Sequence, residues 1–135
     1  MKILYSYVVP RPFHGYNIPI SIQSSYLKDY SRKNNFSFKL PVTEITKTNS
    51  YFMLSNLLKD KKIRNLGFVS GFVMPVYQLK RLKNLLKKTS NELMFHFALE
   101  NLVLNNKQLF DWAKNLNDIK NISCDYSKIL NDNQI

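Results

Sequence analysis

A chain of 135 residues that is 44% apolar and carries nine phenylalanines and eight tyrosines has the size and aromatic content of one folded domain, which excludes a disordered chain. Its single cysteine, Cys124, and its two histidines exclude an internal disulfide and a structural zinc site completed within one chain. The net charge of +11 excludes nothing alone: a lysine-rich solvated surface explains it, and so does attraction to phosphate-bearing ligands, nucleic acid or an anionic membrane face.

The opening "MKILYSYVVPRP" starts like a signal peptide, but its apolar stretch is short, holds two tyrosines and a serine, and lacks a small-residue cleavage site. "KILYSYVV" (2–9) reads as a strand buried on both faces. The loop "PRPFHGYNIP" concentrates three of the five prolines, and after it Ile18, Ile22, Tyr26, Leu27 and Tyr30 recur at helical spacing, with Pro19 tolerated at the helix start. "FSFKLPVTE" (36–44) reads as a second strand that Pro41 pushes toward an edge. Asn49 or Ser50 then caps a helix with Leu54, Leu57 and Leu58 on its apolar stripe.

"NLGFVSGFVMP" (65–75) reads as a third strand whose glycines allow a close approach of backbone, helix or ligand. Val76, Leu79, Leu82, Leu85 and Leu86 mark a helix with lysines and an arginine on its wet face. "ELMFHFALE" (92–100) is the fourth strand, and Leu109, Trp112, Ala113 and Leu116 place a last helix before a polar tail from about Asn117. No run approaches the roughly 20 apolar residues of a membrane span. With one cysteine, a cytoplasmic setting is expected.

The order β-α-β-α-β-α-β-α predicts a small three-layer α/β domain over residues 1–116, flavodoxin-like or Rossmann-like, with residues 117–135 as the tail. The sheet is expected to have four mainly parallel strands in the order 2-1-3-4. Two open edges make self-association plausible.

Ligands of such sheets bind beyond the carboxyl ends of the strands. Four polar clusters fall there: Arg11, His14, Tyr16 and Asn17 after the first strand, Thr43 and Glu44 after the second, Ser70 after the third, and Glu100 with Asn101 after the fourth. Arg11 suits an anion, or else only shapes its loop. Glu44 can move a proton, or else cap the next helix. His14 is a further acid/base candidate or a solvated loop residue. His96 and Glu100, four apart on one strand, share a face as a base and its orienting carboxylate would, although roughly 13 Å separates them along it. A buried His96 satisfied by a neighbouring strand is the alternative. Gln23, Ser70 and Asn101 join Asn17 as hydroxyl contacts.

There is no glycine-rich phosphate loop, no acidic or histidine cluster with metal spacing, and no base beside Cys124. No cofactor and no metal are expected.

"RPF", "NIPISIQSSYLKDY", "TE" before "YFMLSNLL", "GFVSGFVMP" and "FHFALENL" resemble the sporadic carbohydrate cluster proteins over about residues 3 to 104. That resemblance implies a role with an activated sugar in surface-carbohydrate synthesis. It also implies that Arg11, Asn17, Pro19, Gln23, Asp29, Tyr30, Thr43, Glu44, Pro75, His96 and Glu100 match the family's pattern. A more distant likeness is to the catalytic domain of serine recombinases, whose first strand ends in Tyr-x-Arg and leads to a Gln-bearing helix. Where that pattern places a nucleophilic serine after the arginine, this chain has "RPFHG", so the likeness implies a fold without the recombination chemistry.

Two functions follow. In one, the chain handles a phosphorylated or nucleotide-linked sugar, with Arg11 on the anion and Glu44, His14, His96 or Glu100 as acid and base. In the other, it is a non-catalytic nucleic-acid-binding or regulatory module with a resolvase-like fold. The second draws on the charge and on the basic helix "QLKRLKNLLKK", in which no aromatics interleave.

Overall fold

The computed structural model describes residues 1–46, 50–90 and 92–132, with backbone alone from 123 onward. Asn49 and the side chain of Cys124 therefore lie outside the described residues. The strands are β1 (Lys2–Val8), β2 (Phe36–Phe38), β3 (Val42–Thr43), β4 (Asn65–Phe68), β5 (Met94–Phe97) and β6 (Leu102–Leu104). The helices are α1 (Ile20–Lys33), α2 (Phe52–Lys59), α3 (Leu79–Leu86) and α4 (Asn106–Asp132).

The sheet runs β2-β1-β4-β5-β6, with β3 also on β1. Its first four strands along this path are parallel and β6 is antiparallel. The order expected for the parallel strands is the order found, but the described residues form six strands rather than four. The stretch 36–44 splits in two because Pro41, between β2 and β3, has no N–H to give the ladder. The stretch 92–100 also divides: β5 stops at Phe97, and a turn over 98–101 returns the chain as β6. Edge strands β2 and β6 have only three residues each, which limits pairing with another sheet.

Alternation along β1 separates the two faces. Leu4 meets Leu27 of α1 over Gly67, where an added Cβ would lie 3.0 Å from Leu4. Tyr7, Val9, Phe68, Phe95 and Phe97 join Leu54, Leu58, Leu82 and Leu109 in the larger core beneath α2, α3 and α4. The expected stripe of α1 is displaced by one position. Its buried residues are Gln23, Leu27 and Ser31, leaving Ile22 and Tyr26 about half exposed at 46% and 48%. Gln23 takes the inward place because the loop before the helix has polar backbone to satisfy there.

Helix α4 continues through the segment read as a tail. Its 27 residues extend about 40 Å at the helical rise, and Asn117 near its middle donates to Val76 O at 2.8 Å, beyond the end of β4.

Candidate functional site at the carboxyl edge

The proline-rich loop is closed from beneath. The Gln23 side chain accepts from Val9 N at 3.2 Å and donates to Val9 O and Ile18 O, both at 2.8 Å. Because its exposure is 0%, it holds the two ends of the loop and is not the surface contact expected of it. The loop itself folds into a tight hairpin: Phe13 and Tyr16 exchange backbone hydrogen bonds of 2.9 and 2.8 Å across His14 and Gly15. Both tip residues are left-handed, with φ of 49° and 77°, the signature of a type I′ turn. The turn leaves His14, Tyr16 and Asn17 exposed.

Glu44 is buried at 3% exposure, and its carboxylate accepts from five donors. They are the Tyr7 hydroxyl at 2.6 Å, Ile45 N, the Ser50 hydroxyl, and Met53 N and Leu54 N in the first turn of α2. Burial works to raise its pKa, but the bonds from Tyr7, Ile45, Met53 and Leu54 outweigh it and hold the group below the ordinary carboxylate value. The same environment keeps the Tyr7 phenol protonated, through burial first and then the Glu44 contact. Glu44 thus caps α2 from a neighbouring strand end, a role left open for it from sequence.

His96 does not meet Glu100. It lies inside β5 opposite Gly67 and faces α1, where one ring nitrogen is 2.7 Å from the Tyr30 hydroxyl and the other 2.8 Å from Asn65 Oδ1. Burial pushes its pKa down to about 4 and pushes that of Tyr30 up. Asn65 opens β4, so these contacts draw the histidine toward the amino-terminal edge. The shared strand face expected for the pair vanishes because β5 turns after Phe97. Glu100 instead accepts from the Ser70 hydroxyl at 2.9 Å and from Gly71 N in the loop after β4. Asn101 sits in the same turn, left-handed at φ 54° and exposed, while Thr43 is exposed at the end of β3.

Those bonds from Glu100 steady a 3-10 turn, Gly71–Val73, whose start is capped by Ser70 Oγ accepting from Phe72 N at 3.1 Å. A Cβ on Gly71 would lie 2.5 Å from Trp112 and 3.0 Å from Phe97, so only glycine lets this turn sit against the indole. The turn presents Phe72 to a stack that sequence reasoning missed. The His14 ring lies parallel to Phe72, centroids 3.8 Å apart and planes at 12°. Tyr77 follows at 6.2 Å from Phe72, and Trp112 backs the same ring at 5.7 Å.

Cations border these rings. Arg11 and Arg81 each hold a guanidinium 4.6 Å from the Tyr51 ring, and Lys120 of α4 stands 4.7 Å from that of Tyr77. Arg11 donates from Nη1 to Ser50 O at 2.7 Å, while its buried Nη2 has no hydrogen-bond partner among the described residues. The aromatics absent from the basic helix therefore arrive beside it from other segments. Only the folded chain shows this, because no periodicity links His14, Tyr51, Phe72, Tyr77 and Trp112.

No family model matches the chain, and no curated protein matches it either. Among solved structures, it is similar to the N-terminal catalytic domain of TP901-1 integrase, with a TM-score of 0.55 and 12% identity. The match covers 89% of this chain and 97% of that one. The likeness is one of fold. It fixes the architecture as a mostly parallel α/β sheet of the kind that integrase domain has. Among the described residues no helix is long and apolar enough to cross a membrane, and no group of three or more histidines, cysteines and carboxylates could hold a metal.

Proposed function

We propose that the chain is a nucleic-acid-binding module that holds its ligand at the carboxyl edge of the sheet without cleaving it. The observation that carries this reading is the meeting of cations and rings there: Arg81 on Tyr51 and Lys120 on Tyr77, beside the exposed His14 and Tyr16, with Arg11 held inward on the same Tyr51 ring. Phosphates seek the cations and bases seek the rings, and the chain's charge of +11 adds long-range attraction. The fold shared with an integrase catalytic domain is compatible with this and proves no activity.

A sugar-handling enzyme needs a free acid and base at this edge. Both carboxylates expected for that work are engaged in holding loops, Glu44 by five donors and Glu100 by the turn after β4, and the exposed His14 is stacked on Phe72. His96 faces the other way. Binding, with the internal groups as scaffold, accounts for the arrangement better than acid/base catalysis.

The test is an anisotropy titration of a labelled 20-nucleotide oligomer at several salt concentrations. Affinity is expected to fall linearly with salt on logarithmic axes, and Arg81→Ala or Lys120→Ala to reduce that slope by about one each. Absence of binding at low salt would overturn the reading, and stabilisation of the protein by sugar phosphates would then favour the sugar-handling one.

A further inference from the structure

We infer that the carboxyl-edge platform takes unpaired bases, so that the preferred ligand is a single strand rather than a duplex. This rests on the nucleic-acid reading above and names the form of ligand within it. Three features of the site point the same way.

The first is accessibility. Tyr16 is 58% exposed and Tyr77 37%, and His14, 6.2 and 6.1 Å from them, is exposed as well, with Lys120 beside Tyr77. In a duplex the bases are already stacked on each other and offer a protein only groove edges and phosphates. Exposed rings gain little there, whereas an unpaired base has a free face to lay on them.

The second is rigidity. His14 leans on Phe72, Phe72 on Trp112 at 5.7 Å, and Trp112 on the buried Phe97 at 5.6 Å. The row of rings is thus anchored in the core and loses little freedom when a base lands on it.

The third is backbone conformation. His14 takes the left-handed conformation, which histidine adopts more readily than most residues with a side chain, and its ring lies on Phe72 at 3.8 Å, so it is fixed at the exposed tip of the hairpin.

The test compares one 20-nucleotide sequence as single-stranded DNA, single-stranded RNA and DNA duplex, by anisotropy at fixed salt. Three variants remove rings: His14→Gly, which keeps a backbone that glycine adopts freely, Tyr16→Ala and Tyr77→Leu. Tyr26→Ala removes an exposed ring on α1, away from the platform. Circular dichroism and Tm establish that each variant is folded. Wild type is expected to favour at least one single strand over the duplex, each platform variant to lose about tenfold in single-strand affinity, and duplex affinity to stay level. Tyr26→Ala is expected to match wild type. Equal binding of strand and duplex, with platform variants lowering neither or both alike, overturns this inference while the nucleic-acid reading stands. No binding of any oligomer at low salt overturns both.

Discussion

The two edges of the sheet are both basic, yet rings and cations meet mostly at one of them. Arg11, Arg81 and Lys120 do so at the carboxyl edge, against Lys39 over Tyr5 at 5.0 Å beside an amino-edge cavity. At the carboxyl edge His14, Tyr16 and Tyr77 are exposed, Arg11 and Arg81 lie on Tyr51, and Lys120 stands over Tyr77. At the amino edge, cavities of about 440 and 410 Å³ are bordered by Lys2, Lys59, Lys61, Lys62, Arg64 and Lys88. There Tyr30 and Phe36 turn edge-on toward the buried His96, with centroids 5.6 and 5.1 Å away. Arg64 is paired with Glu92 at 2.7 Å, both side chains being 70% exposed. The difference teaches what charge alone does. Lysines on a wet edge attract any polyanion and distinguish none, whereas rings among cations add a contact that depends on what the polyanion displays.

The comparison breaks most decisively at Glu44. Glu44→Ala leaves the Tyr7 hydroxyl and the first amides of α2 without an acceptor, and is expected to cost at least about 3 kcal/mol in urea unfolding. A loss under about 1 kcal/mol would mean that the carboxyl edge is not braced from within.

The amino-edge side is probed by pH. The folded pKa of His96, about 4, lies below its ordinary value of 6.5, so the native state binds fewer protons than the unfolded chain between them. Stability is therefore full above pH 6.5 and falls as the pH drops toward 4, by up to roughly 3 kcal/mol. Glu44, whose folded pKa is held below its ordinary value of 4.5, contributes in full above that value and loses its contribution as the pH falls from there through the lower folded one. Urea midpoints measured across this range should slope for wild type and flatten for His96→Gln. The smallest effect belongs to Arg64→Ala, which should change stability by less than about 0.5 kcal/mol because the pair is so exposed. It should also leave the ratio of single-strand to duplex affinity untouched; a changed ratio would place discrimination at the amino edge as well.

Much of the architecture was legible in the sequence because buried parallel strands announce themselves as apolar runs, and Pro41 marked where one of them weakens. Strand ends were not. "GFVSGFVMP" looks continuous until Ser70 caps a 3-10 turn, and "FHFALE" until the chain reverses after Phe97. The two reversals meet where Glu100 accepts from Ser70 and Gly71, a contact between segments thirty residues apart. Reading candidates off the strand ends puts Arg11, His14, Tyr16, Asn17, Thr43, Glu44, Ser70, Glu100 and Asn101 at one edge, since the topology alone brings those ends together. It failed for Gln23 and His96, which are polar residues that the fold uses inside. The ring platform left no trace in the sequence, because each ring comes from a different segment and none repeats at a helical or strand spacing.

Trp112 is the sole tryptophan of the chain, and it touches both the platform ring Phe72 and the core ring Phe97. The molecule therefore carries an optical probe of its own, placed one ring behind the surface. Emission excited at the indole reports from a single known position, so a ligand that shifts Phe72 alters it without any label. Local loosening at this edge and global unfolding should then separate as two events in one spectrum.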